Sequence, residues 1–100
     1  METPKKLSDV TVEDVANYIR LDEVTEDDEK LLNDLIVIAK KYIANYTGVK
    51  EENLDNYNDF VIVLYILCQD MYDNRVLYVD KSNVNKVVES ILGMHSINLL

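Results

Sequence analysis

The chain has 100 residues, of which 19 are acidic and 10 basic, giving a formal net charge of −9. That length suits one domain with a single core, and two glycines with one proline leave too few turns for a sandwich or barrel. Cys68 is the single cysteine, which excludes an intrachain disulfide and a cysteine-built zinc site, and the acidic balance argues against a basic footprint on nucleic-acid phosphates.

Residues 1–10 are mixed, contain Pro4 and read as a loose leader. Lys5 and Lys6 are followed by polar Ser8 and Asp9 rather than the apolar stretch of a signal peptide, so a cytoplasmic product is expected. Thr11 with Asp14 three positions on approximates a capping box, and Val12, Val15, Ala16 and Ile19 supply the apolar stripe of a short first helix ending at Leu21. The acidic segment DEVTEDDE, residues 22–29, lacks the glycine and the ligand spacing of a calcium loop. Thr25 as an N-cap, followed by carboxylates that favour the positive end of a helix dipole, accounts for it better. A second helix is predicted from Glu26 to Thr47 on the stripe Leu31, Leu32, Leu35, Ile36, Ala39, Tyr42, Ile43, Tyr46. Lys40 and Lys41 lie near its end and Gly48 is placed to stop it. Ile38 falls off the stripe and is expected to be an exposed contact.

Residues 49–56, VKEENLDN, form a polar connection, in which Asp55 or Asn56 is expected to cap the next helix. A calcium register through Asp55, Tyr57 and Asp59 fails, because Phe60 and Ile66 occupy its turn and closing positions. Leu54–Leu77 is predicted as the central helix. Tyr57, Phe60, Val61, Leu64, Leu67, Cys68, Met71 and Tyr72 follow helical spacing, and Ile62, Val63, Tyr65 and Ile66 make its middle apolar all round. A membrane span needs about twenty apolar residues, and this run stops at Gln69 and Asp70. A buried strand is the rival for the β-branched positions, but the length and the polar face Asp59, Gln69, Asp70 and Asp73 favour a helix. Cys68 on the stripe reads as a small core hydrophobe. Arg75 suits the negative end of this helix and, with Asn74, should close it. A fourth helix is expected after a cap at Ser82 or Asn83, with Val84, Val87, Val88, Ile91 and Leu92 on one face and Gly93 as its stop. The tail, residues 94–100, carries Ile97, Leu99 and Leu100 in extended alternation, and is expected either to pack back on its own subunit or to serve as an assembly element docking on a neighbour. The expected fold is therefore all-α: a small bundle of about four helices around a central apolar one, spanning residues 11–93, with an extended C-terminal tail.

No nucleophile and base, metal set or phosphate loop is legible. His95 is the only histidine and sits in the tail, where it reads as a plain polar residue, and Gly48 and Gly93 cannot build a Walker loop or dinucleotide fingerprint. Binding or assembly is the expected class, without a cofactor or metal.

The order of TVEDVANYIRLD (11–22), LL (31–32), YIANYTG (42–48), MYDNR (71–75) and ILGMHSINLL (91–100) resembles the small head-tail connector proteins of long-tailed double-stranded DNA bacteriophages and prophages. The family is often described as DNA-packaging proteins. The similarity spans about residues 10–100. YIANYTG and MYDNR are its most specific pieces, Met71 standing where the family tends to have an aromatic residue, and the tail lacks the family's usual Pro-Tyr-Arg. The resemblance implies a non-catalytic, all-helical subunit that forms a homo-oligomeric ring below the portal protein and meets tail-side neck proteins. It also implies residence in the virion neck after assembly in the host cytoplasm, without a membrane. DNA would pass through without sequence-specific binding, which gives the net charge of −9 a mechanism beyond solubility. Structural or assembly roles fall to Tyr42, Tyr46, Gly48, Tyr72, Asn74 and Arg75, and to Ile97, Leu99 and Leu100 of the tail. The charge alone permits an alternative, an acidic helical regulator or DNA mimic that binds a nucleic-acid enzyme.

Overall fold

A computed structural model describes residues 6–96, so Ile97, Leu99 and Leu100 lie outside the described residues. The architecture is all-α. Four α-helices, α1 (Val12–Tyr18), α2 (Glu26–Thr47), α3 (Phe60–Asn74) and α4 (Lys86–Met94), are joined by segments that include two 3-10 helices, Leu7–Asp9 and Glu51–Asn56.

Local chemistry sets the starts of α1 and α2. The Thr11 Oγ1 accepts the Asp14 N–H at 3.2 Å while the Asp14 carboxylate accepts the Thr11 N–H at 2.9 Å. Thr25 and Asp28 repeat that reciprocal pair at the start of α2, each bond 3.1 Å long. The helix α2 ends where Gly48 turns left-handed, φ 78°, and its N–H reaches the Ala44 carbonyl. Glycine enters that region at no steric cost. Thr47 is the buried polar residue just before this turn. Its hydroxyl donates to the Ile43 carbonyl at 2.8 Å and accepts the Val49 N–H at 3.1 Å, so nothing polar is stranded in the core.

The helix α3 packs against α2, α4 and α1. Leu35, Ala39 and Ile43 of α2 meet Phe60, Val63, Leu64, Leu67 and Cys68 of α3 in one fully buried cluster, which Val88 and Leu92 of α4 and Val15 and Ala16 of α1 complete. Tyr18 stacks on Tyr65 with ring centroids 4.9 Å apart and planes 18° from parallel, fastening α1 to the middle of α3. The all-round apolar stretch of α3 is thus covered on most sides, with Ile62 left exposed.

Several expectations are corrected. The leader is not loose over residues 6–10: Leu7 and Val10 are buried, and the Ser8 N–H and hydroxyl both donate to the Asp55 carboxylate, at 2.9 and 2.6 Å. Those bonds hold Asp55 below the usual carboxylate range and occupy the group expected to cap α3. The central helix starts at Phe60 rather than Leu54, because residues up to Asn56 coil as a 3-10 turn and Tyr57 then returns to extended backbone. Ile38 packs against the core, and it is Val37 that is exposed.

The fourth helix begins at Lys86 with Asn85 as its cap, the Asn85 Oδ1 accepting the Val87 N–H at 2.7 Å. Ser82 and Asn83 cannot serve, because the Asp80 carboxylate takes the Ser82 N–H and the Asn83 side-chain amide, both at 3.0 Å, and locks them in a turn. Val87, expected on the inner face of α4, is exposed. Gly93 does not stop α4, which runs to Met94; His95 is the C-cap. The tail boundary at 94 therefore moves outward, since the His95 Nε2 lies 2.8 Å from the Asp59 carboxylate and its ring sits against Tyr57 and Phe60.

A Cβ built on Gly93 meets nothing within 4 Å. Gly93→Ala should therefore raise stability by about 0.5–1 kcal/mol, through helix propensity and a less flexible unfolded chain. Thermal melts would read this as a higher midpoint, and a lower one would mean that the position is crowded.

Candidate functional site

Those of the residues singled out by the resemblance that are described fall into two groups. Tyr42 and Tyr46 lie one turn apart near the end of α2, with ring centroids 5.9 Å apart, and Gly48 is the left-handed cap that follows. Burial, then Tyr46 and Glu89, push the Tyr42 hydroxyl above its usual range. Tyr72 and Asn74 lie in the last turn of α3, and Arg75 is its cap. Arg75 adopts φ 58°, ψ 42°, a region that disfavours side chains other than glycine. Its N–H bonds back to the Tyr72 carbonyl and the Val76 N–H to the Met71 carbonyl, so the backbone closes the helix. The guanidinium sits 5.3 Å from the Tyr72 ring centroid, a cation–π placement rather than the pairing with Asp22 or Asp70 that charge alone suggests. Arg20 at the end of α1 shares the left-handed backbone, with φ 64°.

The fold brings both groups to one connection, residues 75–85. A cavity of about 430 Å³ is lined by Leu67, Asp70, Met71 and Asn74 of α3 and by Tyr78, Val79, Asp80 and Val84 of the connection. A second, of about 390 Å³, is lined by Tyr42, Asn45 and Tyr46 of α2, by Lys81 and Val84, and by Glu89 of α4. Val84 borders both. A third, of about 260 Å³, lies among Leu31, Met71, Tyr72, Arg75, Val76 and Leu77. Leu77 and Tyr78 are 55% and 60% exposed, so the connection carries apolar surface outward above its own cavities.

Sequence reasoning missed Asp70 as part of this region. Burial, then the neighbouring Asp73, push its carboxyl above the ordinary carboxylate range. Its spacing from Asn74, one helical turn, is the signal that sets both on one face. Asp80 was missed too, although Asp80 followed by Ser82 and Asn83 is a recognisable turn pattern. Its carboxyl is held below the ordinary range, first by the Asn83 side chain and then by the Ser82 N–H.

Because folding raises the Asp70 pKa, the ionised group opposes folding at neutral pH. That cost is relieved as pH falls through the raised value and the carboxyl takes up its proton. Asp70→Asn should therefore raise the melting temperature at pH 7, by an amount worth under about 1 kcal/mol because the group is partly exposed and screened. The advantage should shrink toward zero in acid. A variant that melts lower than the native chain at pH 7 would contradict this.

Among the described residues no group of three or more histidine, cysteine or acidic side chains could hold a metal ion, and no helix is long and apolar enough to cross a membrane. Comparison with protein-family models, with curated proteins and with solved structures finds no match for this chain.

Proposed function

We propose that this chain is a structural head-tail connector, a non-catalytic subunit that assembles as a ring below a bacteriophage portal and lines the passage taken by DNA. The observation that supports it most is the arrangement of the two most specific motifs of the resemblance. YIANYTG ends α2 and MYDNR ends α3, and their side chains, Tyr42 and Tyr46 from one and Met71 and Asn74 from the other, border cavities under the same α3–α4 connection. A ring subunit needs two unlike surfaces that meet head to tail. Exposed Leu77 and Tyr78 on the connection, and Val87 and Met94 on α4, are apolar surface available for such contacts and for portal and tail-side neck proteins.

The charge supports the same reading. Basic contacts to phosphate hold DNA in place, whereas a subunit of net charge −9 lets the duplex slide past without adhering. Light scattering of the purified chain over a range of concentrations tests the proposal. A large discrete species growing in at higher concentration is the expected result. A monomer or dimer at every concentration would contradict it and favour the acidic regulator that binds a nucleic-acid enzyme.

A further inference from the structure

The segment before α1 is fastened to a distant part of the chain through one carboxylate. The 3-10 helix Leu7–Asp9 packs on α3 and on the 3-10 helix Glu51–Asn56, where Leu7 and Leu54 are both buried. Across that contact one oxygen of Asp55 accepts the Ser8 N–H at 2.9 Å and the other accepts the Ser8 hydroxyl at 2.6 Å. Ser8 is exposed and Asp55 partly so. A cavity of about 330 Å³, lined by Leu7, Ser8, Lys40, Leu54 and Asp55 among others, lies beside these bonds, so a proton reaches the carboxylate without the helical core opening.

We infer that residues 6–10 form an acid-released strap, closed while Asp55 is ionised and loosened, ahead of the four-helix core, once Asp55 takes up a proton. An ionised carboxylate accepts strongly at both oxygens, whereas a protonated one carries a hydrogen on one of them, so the two Ser8 donors then face a single good acceptor. The groups around Asp55 favour the ionised form. The Ser8 hydroxyl first and the Ser8 N–H next hold its carboxyl below the ordinary range, with Lys6 on the strap and Lys40 on α2 acting in the same direction. Glu51 and Glu52, on its own 3-10 helix, line the same cavity and oppose them. Asp59, at the start of α3, is engaged by His95. Closing the strap therefore lowers the Asp55 pKa, so the clamp contributes fully above the ordinary carboxylate value and is lost as pH falls through the lowered one. The strap can detach by itself. Its own backbone bonds are short-range, from the Asp9 N–H to the Lys6 carbonyl and from the Val10 N–H to the Leu7 carbonyl, while the Thr11–Asp14 box sets the start of α1 just beyond it.

Amide hydrogen exchange of the native chain from about pH 6 to about pH 2, expressed as protection relative to the unfolded chain at each pH, tests this. Protection of the Ser8 and Val10 amides should fall about threefold or more while Leu35 and Leu64, in the core, keep theirs. Asp55→Asn should loosen Ser8 and Val10 already at pH 6, with an unchanged helical circular-dichroism signal, and should abolish their response to acid. Ser8→Ala, which keeps the carboxylate and removes one donor, should also loosen Val10 at pH 6. Ser8 and Val10 amides that stay protected down to the lowest pH, or that lose protection only together with Leu35 and Leu64, would overturn the inference. So would Asp55→Asn with native protection at pH 6 or with the native response to acid, since another group would then control the segment.

Discussion

Leu35→Ala or Leu64→Ala should each lower stability by about 2–5 kcal/mol. Both side chains are fully buried, one on α2 and the other on α3, at the helix pair around which the core is built. Each truncation removes apolar contacts and leaves a cavity that neighbours such as Phe60 and Ile43 can fill only in part. A domain of this size has about 5–15 kcal/mol in all, so one such change consumes a large share of it. Denaturant melts should show an earlier midpoint with an unchanged slope. The exposed Val37 is the control: Val37→Ala should stay within about 0.5 kcal/mol. Losses below about 1 kcal/mol for both leucines would mean that the α2–α3 faces are misassigned.

The second large effect concerns Cys68, which lies within the core with no exposed surface. Burial pushes its thiol up to about 12, so almost none of the reactive thiolate exists at pH 8. A thiol reagent must therefore wait for the core to open. Labelling in native buffer at pH 8 should be at least about a thousandfold slower than in denaturant, the factor expected if opening requires about 5 kcal/mol or more. Core-weakening changes such as Leu64→Ala should accelerate it in proportion to the stability they remove. Labelling as fast in the folded chain as in the unfolded one would place Cys68 at the surface.

What was legible in the sequence was whatever depends on neighbours in the chain. The span of α2, from its Thr25–Asp28 box to left-handed Gly48, follows from bonds made within a few residues of each end, and the periodic stripe between them is long enough to be unambiguous. The starts of α3 and α4 were misread because side chains that could have capped them are engaged elsewhere. Asp55 is claimed by Ser8, a partner 47 positions away, and Asp80 claims Ser82 and Asn83 for a turn. Gly93 carries no positive φ and sits inside α4, where its presence in the sequence resembles that of Gly48, which does end a helix.

The candidate site divides in the same way. Tyr42, Tyr46, Tyr72, Asn74 and Arg75 could be named from their motifs, and Arg75 could be put at a helix end. Its left-handed backbone could not be foreseen, because arginine carries no preference for it. The cavities under the α3–α4 connection, and the roles of Asp70 and Val84 in lining them, arise only when α2, α3 and α4 meet. No local pattern announces such a meeting.

Electron microscopy of the largest species formed by the purified chain tests the central claim most directly. The connector account predicts closed rings of uniform diameter, with rotational symmetry and an open centre. Open filaments, irregular aggregates, or a field of compact particles no larger than a dimer would contradict it.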